Sequence, residues 1–213
     1  SASRGAFYMP PPDNRSPGTY FLASTPKLQP LYNLEALSLH EAIPGHHLQN
    51  AIAMELNVPE FRRTLSHSAF GEGWALYTER LGKEAGFYQS PYSDFGRLGY
   101  EMWRAVRLVV DTGIHAFGWS RQKAIDYLAS HTALPQSAVE DQIDRYISWP
   151  GQALSYKMGE IKIRELRAKA EKELGAQFDI RSFHDTVIGQ GSLPMAVLED
   201  VINDWIAKQK KTK

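Results

Sequence analysis

The sequence predicts a mainly α-helical protein, and three observations support that prediction. The chain has 213 residues, enough to bury a substantial core, and is most simply a single domain, residues 1–213. From Leu34 onward the apolar residues recur at helical spacing almost without interruption. Before that point, residues 19–24 alternate between apolar and polar in the way that a β-strand does.

The elements follow from local signals along the chain. Residues 1–33 are expected to be extended, because prolines 10–12 and the segment 16–18 break any helix around the strand at 19–24. Residues 34–213 are expected to be helical, with serine or proline at several helix starts and glycine after several helix ends. The predicted helices span 34–56, 59–66, 70–86, 92–117, 120–131, 135–148, 151–174, 179–188 and 194–208.

Composition excludes several classes of function. Lys and Arg together number 24, as do Asp and Glu, so no net charge favours nucleic acid or an anionic membrane as a partner. No apolar stretch approaches the ~18 residues needed to span a bilayer, and residues 1–4 lack the apolar core of a signal peptide. The chain has no cysteine, which suits either the cytoplasm or the periplasm and leaves the compartment open. The oligomeric state is likewise open.

Residues 39–49, Leu-His-Glu-Ala-Ile-Pro-Gly-His-His-Leu-Gln, concentrate three imidazoles and a carboxylate. Neutral imidazoles bind Zn²⁺, and a carboxylate beside the metal can take a proton from water, as metallopeptidase chemistry requires. Glu41 is therefore the predicted general base, and His40 is a predicted zinc ligand.

The second imidazole ligand is His46 or His47. The usual motif places two histidines one turn apart, but the position four residues after His40 is Pro44, which cannot continue a regular helix. A two-residue bulge at Pro44-Gly45 would restore the relation between His40 and His46. Without a bulge, His40 and His47 share a face roughly 10 Å apart along the axis. We favour His46 and keep His47 as the alternative.

A third ligand is predicted downstream, where Gly-Glu-Gly-Trp-Ala-Leu-Tyr-Thr-Glu occupies residues 71–79. Glu72 lies between two glycines near a predicted helix start, where a negative charge is favoured. Two histidines and one glutamate, with a fourth position open to water, make a recurring catalytic zinc set. Glu79 follows on the same face and is a candidate hydrogen-bond acceptor for a ligating histidine.

These strings resemble a known family. His-Glu-Ala-Ile-Pro-Gly-His-His-Leu-Gln at 40–49, with the segment at 71–79, looks like the bacterial family catalogued as domain of unknown function 885. The likeness extends to Trp-Pro-Gly-Gln-Ala-Leu-Ser-Tyr-Lys at 149–157 and Phe-His-Asp at 183–185. Members are usually longer, and the chain matches their C-terminal part.

The resemblance implies a zincin-like fold of the gluzincin type, with a short strand or hairpin beside the metal-site helix. In such folds an edge strand commonly pairs with the extended substrate, so the strand at 19–24 is either a substrate rim or a purely structural strand. The resemblance also implies that the missing N-terminal half of the parent chain completes the cleft.

An oxyanion donor is also expected, because acyl transfer develops negative charge on the carbonyl oxygen. Related metallopeptidases take this donor, a Tyr or a His, from a late helix, which makes Tyr156 and His184 the leading candidates. Gln152 precedes Tyr156 by one turn and is a candidate for substrate contact. Asp111 and His115 are also one turn apart, so the carboxylate could fix the imidazole tautomer beside the substrate.

The function that these residues predict is a zinc metallopeptidase acting on a peptide or small amide. A zinc hydrolase acting on another amide or an ester uses the same ligands, and a non-catalytic binding module of the same fold is the third alternative. Ordinary packing explains Arg104 and Arg107 more simply than a contact with a substrate carboxylate.

Overall fold

The computed structural model describes residues 6–11, 16–22 and 30–211. Two short strands, β1 (Ala6–Met9) and β2 (Thr19–Leu22), pair antiparallel with Tyr8 opposite Tyr20. The rest of the described chain is mainly helical, as predicted. The first helices are α1 (Leu34–Glu41), α2 (His46–Glu55), α3 (Glu60–Thr64), α4 (Ser68–Glu84) and α5 (Pro91–Phe117). They are followed by α6 (Arg121–His131), α7 (Gln136–Ser148), α8 (Ser155–Leu174), α9 (Ile180–Ile188) and α10 (Met195–Lys211).

Several predicted boundaries are confirmed with their causes. The Ser90 hydroxyl accepts a hydrogen bond from the Ser93 backbone N–H, with proline in the first turn of α5, and Ser120 caps α6 through the Lys123 N–H. The strand predicted at 19–24 is found over 19–22, and residues 23–24 lie outside the described residues. Its partner β1 lies in the segment that we predicted to be extended without assigning a strand to it.

The helical span predicted over 34–56, with a bulge or kink at Pro44-Gly45, is divided into two helices. Residues 34–56 do not form a continuous helix: α1 ends at Glu41 and α2 begins at His46, with a cis peptide bond between Ile43 and Pro44. The break falls at the Pro-Gly pair, where the missing N–H of Pro44 prevents a regular helix.

Three apolar clusters hold the helices together. The first joins α4, α8, α9 and α10 through fully buried side chains such as Trp74, Ile163, Phe183 and Ile202. A second joins α5, α6 and α7, and a third packs α1 against α5 and the strand pair. Since α4 takes part in the first cluster and also contacts α1, α2 and α5, it lies at the junction of these layers. None of the helices in the described ranges is long and apolar enough to span a bilayer.

The close packing of α4 against α8 depends on two glycines. A Cβ on Gly73 would lie 2.5 Å from the Cα of Gly159, and one on Gly159 would lie 1.9 Å from the Ala69 carbonyl oxygen. Side chains at either position would force the helices apart. This contact places the start of α8, with Tyr156, beside the face of α4 that carries Glu72.

Candidate metal centre

The break between α1 and α2 turns the chain so that the imidazoles of His40 and His46 meet. Gly45 allows this reversal, because a Cβ there would lie 1.8 Å from the carbonyl oxygen of His40. The segment is tied to α4 at two points. The Trp74 indole N–H donates to the Pro44 carbonyl at 2.8 Å, and the Thr78 hydroxyl donates to the Leu39 carbonyl at 2.9 Å.

The structure brings together the three predicted ligands His40, His46 and Glu72, which we call the trio. One possible ligand atom from each lies within 4.8 Å of the other two. The Glu72 Oε2 atom is 3.6 Å from His40 Nε2 and 3.3 Å from His46 Nε2, and the two imidazole rings are perpendicular, with centroids 4.8 Å apart. The trio therefore has the composition and proximity of a two-histidine, one-glutamate zinc set.

His47 points elsewhere. Its Nδ1 atom lies 3.1 Å from the hydroxyl of Tyr8, and its ring meets the Tyr8 ring edge-on. Of the two alternatives for the second imidazole, the geometry selects His46.

The environment of Glu72 differs in one respect from the expectation. Because α4 begins at Ser68, Glu72 lies in the second turn of the helix, where the N-terminal dipole is weaker than we predicted. Its Oε2 atom is buried and has no hydrogen-bond partner in the described part of the chain. A buried carboxylate oxygen without a donor costs free energy unless a cation lies beside it.

Glu79 orients the first imidazole. Its Oε1 atom lies 2.8 Å from His40 Nδ1 and 3.1 Å from an Arg104 guanidinium nitrogen, and both residues are buried. In the neutral form of His40 with its proton on Nδ1, directed to Glu79, the Nε2 lone pair would face Glu72. This is the arrangement of a ligating histidine with a carboxylate behind it, as predicted for Glu79.

The charges of the trio show whether its residues fit a cation. Burial alone would lower the pKa of His40, but contacts with Glu72 and Glu79 outweigh it and raise that pKa to about 10. Burial would raise the pKa of Glu72, but His40 and His46 outweigh it and hold that pKa well below its usual value. Two carboxylates thus draw a proton onto His40. A divalent cation between the trio atoms would satisfy the same negative charge, so these residues fit a zinc ion.

Glu41, the predicted base, ends α1 next to His40. It is buried, and its Oε2 atom accepts a hydrogen bond of 2.9 Å from the backbone N–H of Tyr8 in β1. Sequence reasoning missed Tyr8, which contacts Glu41 through its backbone and His47 through its side chain. The substrate-rim role predicted for the strand at 19–24 stays a prediction, since β1 makes the contact with Glu41.

Tyr156 lies beside His40 of the trio. Its ring is nearly parallel to that of His40, with centroids 6.3 Å apart. Its hydroxyl lies 3.4 Å from the side-chain amide of Gln152 and 3.4 Å from Arg145. The position of Tyr156 suits the predicted contact with a substrate, and Gln152 contributes by holding its hydroxyl. Arg145 was also missed, because its contacts form only when α7 and α8 pack.

His184 is placed differently. Its Nε2 atom is hydrogen-bonded to the Tyr77 hydroxyl at 2.7 Å, and its ring packs edge-on against Trp74. Burial and the nearby Arg167 lower its pKa to about 4, so the ring is neutral at neutral pH. Neither contact involves the trio, and a catalytic role for His184 stays a prediction without geometric support.

The predicted Asp111–His115 pair is wrong. Both carboxylate oxygens of Asp111 accept from the Gly151 backbone N–H at 3.2 Å, and His115 Nε2 lies 2.9 Å from the Tyr146 carbonyl oxygen. Asp111 thus anchors the turn between α7 and α8, and His115 contacts the last turn of α7, because these long-range backbone partners compete successfully with the local pair.

Known proteins similar to this chain include a bacterial family and two solved structures. The family model described as "Bacterial protein of unknown function (DUF885)" matches residues 1–202. The crystal structure of a "putative lipoprotein" from Colwellia psychrerythraea is 44% identical, with a TM-score of 0.95, over 97% of this chain and 36% of that one. A "putative lipoprotein of unknown function" from Shewanella oneidensis shares the fold, with 24% identity and a TM-score of 0.81 over 91% of this chain and 37% of that one. The chain thus spans just over a third of the length of these relatives. No curated protein matches.

Proposed function

We propose that this chain, which belongs to the bacterial family of unknown function DUF885, is the catalytic part of a zinc-dependent metallopeptidase with a zincin-like fold. The observation that carries the proposal is the trio, in which two imidazole nitrogens and a buried carboxylate oxygen converge within 4.8 Å. His40, His46 and Glu72 would hold the ion. When bound, zinc supplies Lewis-acid chemistry, lowering the pKa of water and polarising a carbonyl group.

The other side chains have distinct tasks in this proposal. Glu41 takes a proton from the attacking water and passes it to the leaving amine. The Tyr8 N–H holds one Glu41 oxygen at 2.9 Å, which leaves the other oxygen for water. Glu79 keeps His40 in one tautomer, and the buried Arg104 forms an ion pair with Glu79 at 3.1 Å that holds the carboxylate in place. Tyr156, stacked against His40, lines the place where the substrate carbonyl would lie.

The substrate proposed is a peptide or a small amide. The relatives of known structure are roughly two and a half times as long as this chain, and we propose that the rest of the parent polypeptide forms the opposite wall of a peptide-binding cleft.

The decisive experiment combines metal analysis with a Glu41→Gln variant. We expect one zinc per chain after reconstitution in both proteins, and a fall in hydrolysis of a peptide library of about 10²- to 10⁴-fold in the variant, because the base is lost and the ligands are intact. Glu84→Gln, on the exposed end of α4, is the matched control and should retain activity. Stoichiometric zinc with no hydrolysis that depends on Glu41 would overturn the proposal.

A further inference from the structure

Helix α5 carries three buried arginines, and two of them have acidic partners. Arg97 is 2.8 Å from Asp94, and Arg104 is 3.1 Å from Glu79. Arg107, only 2% exposed, has no carboxylate within 4.0 Å among residues 6–11, 16–22 and 30–211. A structural role explains the paired arginines, but an uncompensated buried charge is costly and needs another explanation.

The surroundings of Arg107 hold its charge without neutralising it. Its guanidinium carbon lies 4.4 Å from the ring centroid of Trp103 and 4.3 Å from that of Tyr156, and its Nε donates to the Tyr146 hydroxyl at 2.8 Å. Its Nη1 atom is buried and has no hydrogen-bond partner in the described part of the protein. Aromatic faces and a phenol hydroxyl stabilise a guanidinium only partly, so an anion beside it would be bound favourably.

A second arginine without an acidic partner converges on the same tyrosine. Arg145 of α7 donates to the Gln152 side-chain oxygen at 3.0 Å and to the Tyr156 hydroxyl at 3.4 Å. Arg145 is half-buried, and no carboxylate of the described ranges lies within ion-pair distance of its guanidinium. Asp111, one turn after Arg107, is occupied by the backbone N–H of Gly151 and forms no ion pair with either arginine.

Tyr156 joins these two arginines to the trio. Its ring is nearly parallel to the ring of His40, with centroids 6.3 Å apart, and its hydroxyl accepts a hydrogen bond from Arg145 at 3.4 Å. An extended peptide advances ~3.3 Å per residue, so a group bound at Arg145 lies about one to three residues from a bond cleaved at the trio.

We infer that Arg145, Arg107 and Tyr156 form a subsite for the free C-terminal carboxylate of a peptide. Arg145 and the Tyr156 hydroxyl make the contact, and Arg107 adds positive potential from behind the tyrosine ring. The planar fork of an arginine matches a carboxylate in a way that an uncharged terminal amide cannot reproduce. The peptidase would therefore act at the C-terminal end of its substrates, releasing one or a few residues. The direction of cleavage rests on the proposed function, whereas carboxylate binding does not.

The test compares N-acetylated tetrapeptides of identical sequence that end in a free acid or in an amide. Their binding to the metal-free protein is measured by calorimetry, and their cleavage by the zinc-loaded protein is measured by chromatography of the products. We expect the acid to bind about 10- to 150-fold more tightly, the range of a hydrogen bond to a charged group. In Arg145→Gln the preference should fall to near unity with binding of the amide unchanged, and Arg145→Lys should recover part of it.

Arg121→Gln is the matched control, since Arg121 is exposed and paired with Asp144 at 2.6 Å, and it should keep the full preference. Circular dichroism checks that each variant folds. Equal affinity for acid and amide in the wild-type protein overturns the inference, as does a preference that survives in Arg145→Gln, and both leave the hydrolase proposal intact. Selective binding of the acid without cleavage, by both this chain and the longer parent polypeptide, supports the subsite and refutes the proposed function.

Discussion

Exchanging His46 for alanine should remove tight zinc binding, whereas the same exchange at the adjacent His47 should preserve it. The two positions are consecutive, lie in the first turn of α2 and are both half-buried, so they form a matched pair. They differ in what they contact. His46 Nε2 lies 3.3 Å from Glu72 Oε2, and His47 Nδ1 lies 3.1 Å from the Tyr8 hydroxyl.

The expected magnitude follows from the number of ligands. The free energy of zinc binding to a site of four protein ligands is about 10–16 kcal/mol, so each ligand contributes ~3 kcal/mol on average. Loss of His46 from the trio leaves two protein ligands and should weaken binding by about 10²-fold or more. Loss of His47 removes one hydrogen bond at a half-exposed site, and the zinc affinity should change less than about threefold.

The assay is competition for zinc against chelators of graded affinity, with metal content measured after dialysis and thermal unfolding of the apoproteins measured in parallel. Apoproteins of similar stability would show that neither exchange acts by unfolding α2. Equal losses of zinc in the two variants, or a loss confined to His47→Ala, would refute the assignment of the second ligand.

Two further predictions concern the fold around the site. Gly45→Ala should destabilise the protein by about 1–3 kcal/mol or more, because the added Cβ would lie 1.8 Å from the His40 carbonyl oxygen. Gly99→Ala is the control: this position on α5 faces open space, and the exchange should be neutral or stabilising by up to ~1 kcal/mol. Urea unfolding measures both changes, and equal effects would contradict the packing argument. Folding lowers the pKa of His184 from 6.5 to about 4, so between these pH values the unfolded chain binds more protons than the folded one. The free energy of unfolding that neutral His184 contributes is therefore fully present above pH 6.5 and is lost as the pH falls through 4. Urea unfolding across this range should show that the free energy of unfolding falls by at most ~3 kcal/mol, less because His184 is partly exposed. His184→Gln should abolish this pH dependence, and an unchanged pH profile in the variant would assign the loss to other groups.

Much of the helical architecture follows from local chemistry. Ser90 and Ser120 cap helices where their hydroxyls and the following residues predict a start, and Gly118 ends α5 in the left-handed conformation that favours glycine. The span 34–56 was predicted as one helical element with a bulge or kink at Pro44-Gly45, and the structure divides it there into α1 and α2. Local signals identify the break, but the direction that the chain takes after it depends on contacts with α4.

The composition of the candidate site could be predicted, but its surroundings could not. His40, Glu41, His46 and Glu72 stand out because their residue types and spacing suit zinc chemistry, and the structure brings the three predicted ligands together. The Tyr8 backbone reaches Glu41 across 33 positions of sequence, a contact that no periodicity encodes.

Local spacing also misled in one case. Asp111 and His115 have the separation of a hydrogen-bonded pair on a helix, yet Asp111 accepts from Gly151 in the turn after α7 and His115 contacts the Tyr146 carbonyl in the last turn of α7. A spacing of one turn permits a pair but does not require it, because buried polar groups bond to whichever partner the packed structure provides.

A single helix accounts for the placement of all three predicted ligands. Glu72 belongs to α4, and the same helix holds the segment carrying the histidines, through Thr78 to the Leu39 carbonyl and Trp74 to the Pro44 carbonyl. The side chains on this helix are buried against the α8–α10 core, so α4 has little freedom to move relative to the rest of the fold. The imidazoles and the carboxylate are therefore preorganised, and an ion that binds them does not have to order a loop. Preorganisation of this kind favours catalysis, because a water beside the ion and the Glu41 carboxylate would keep a fixed relation through the reaction.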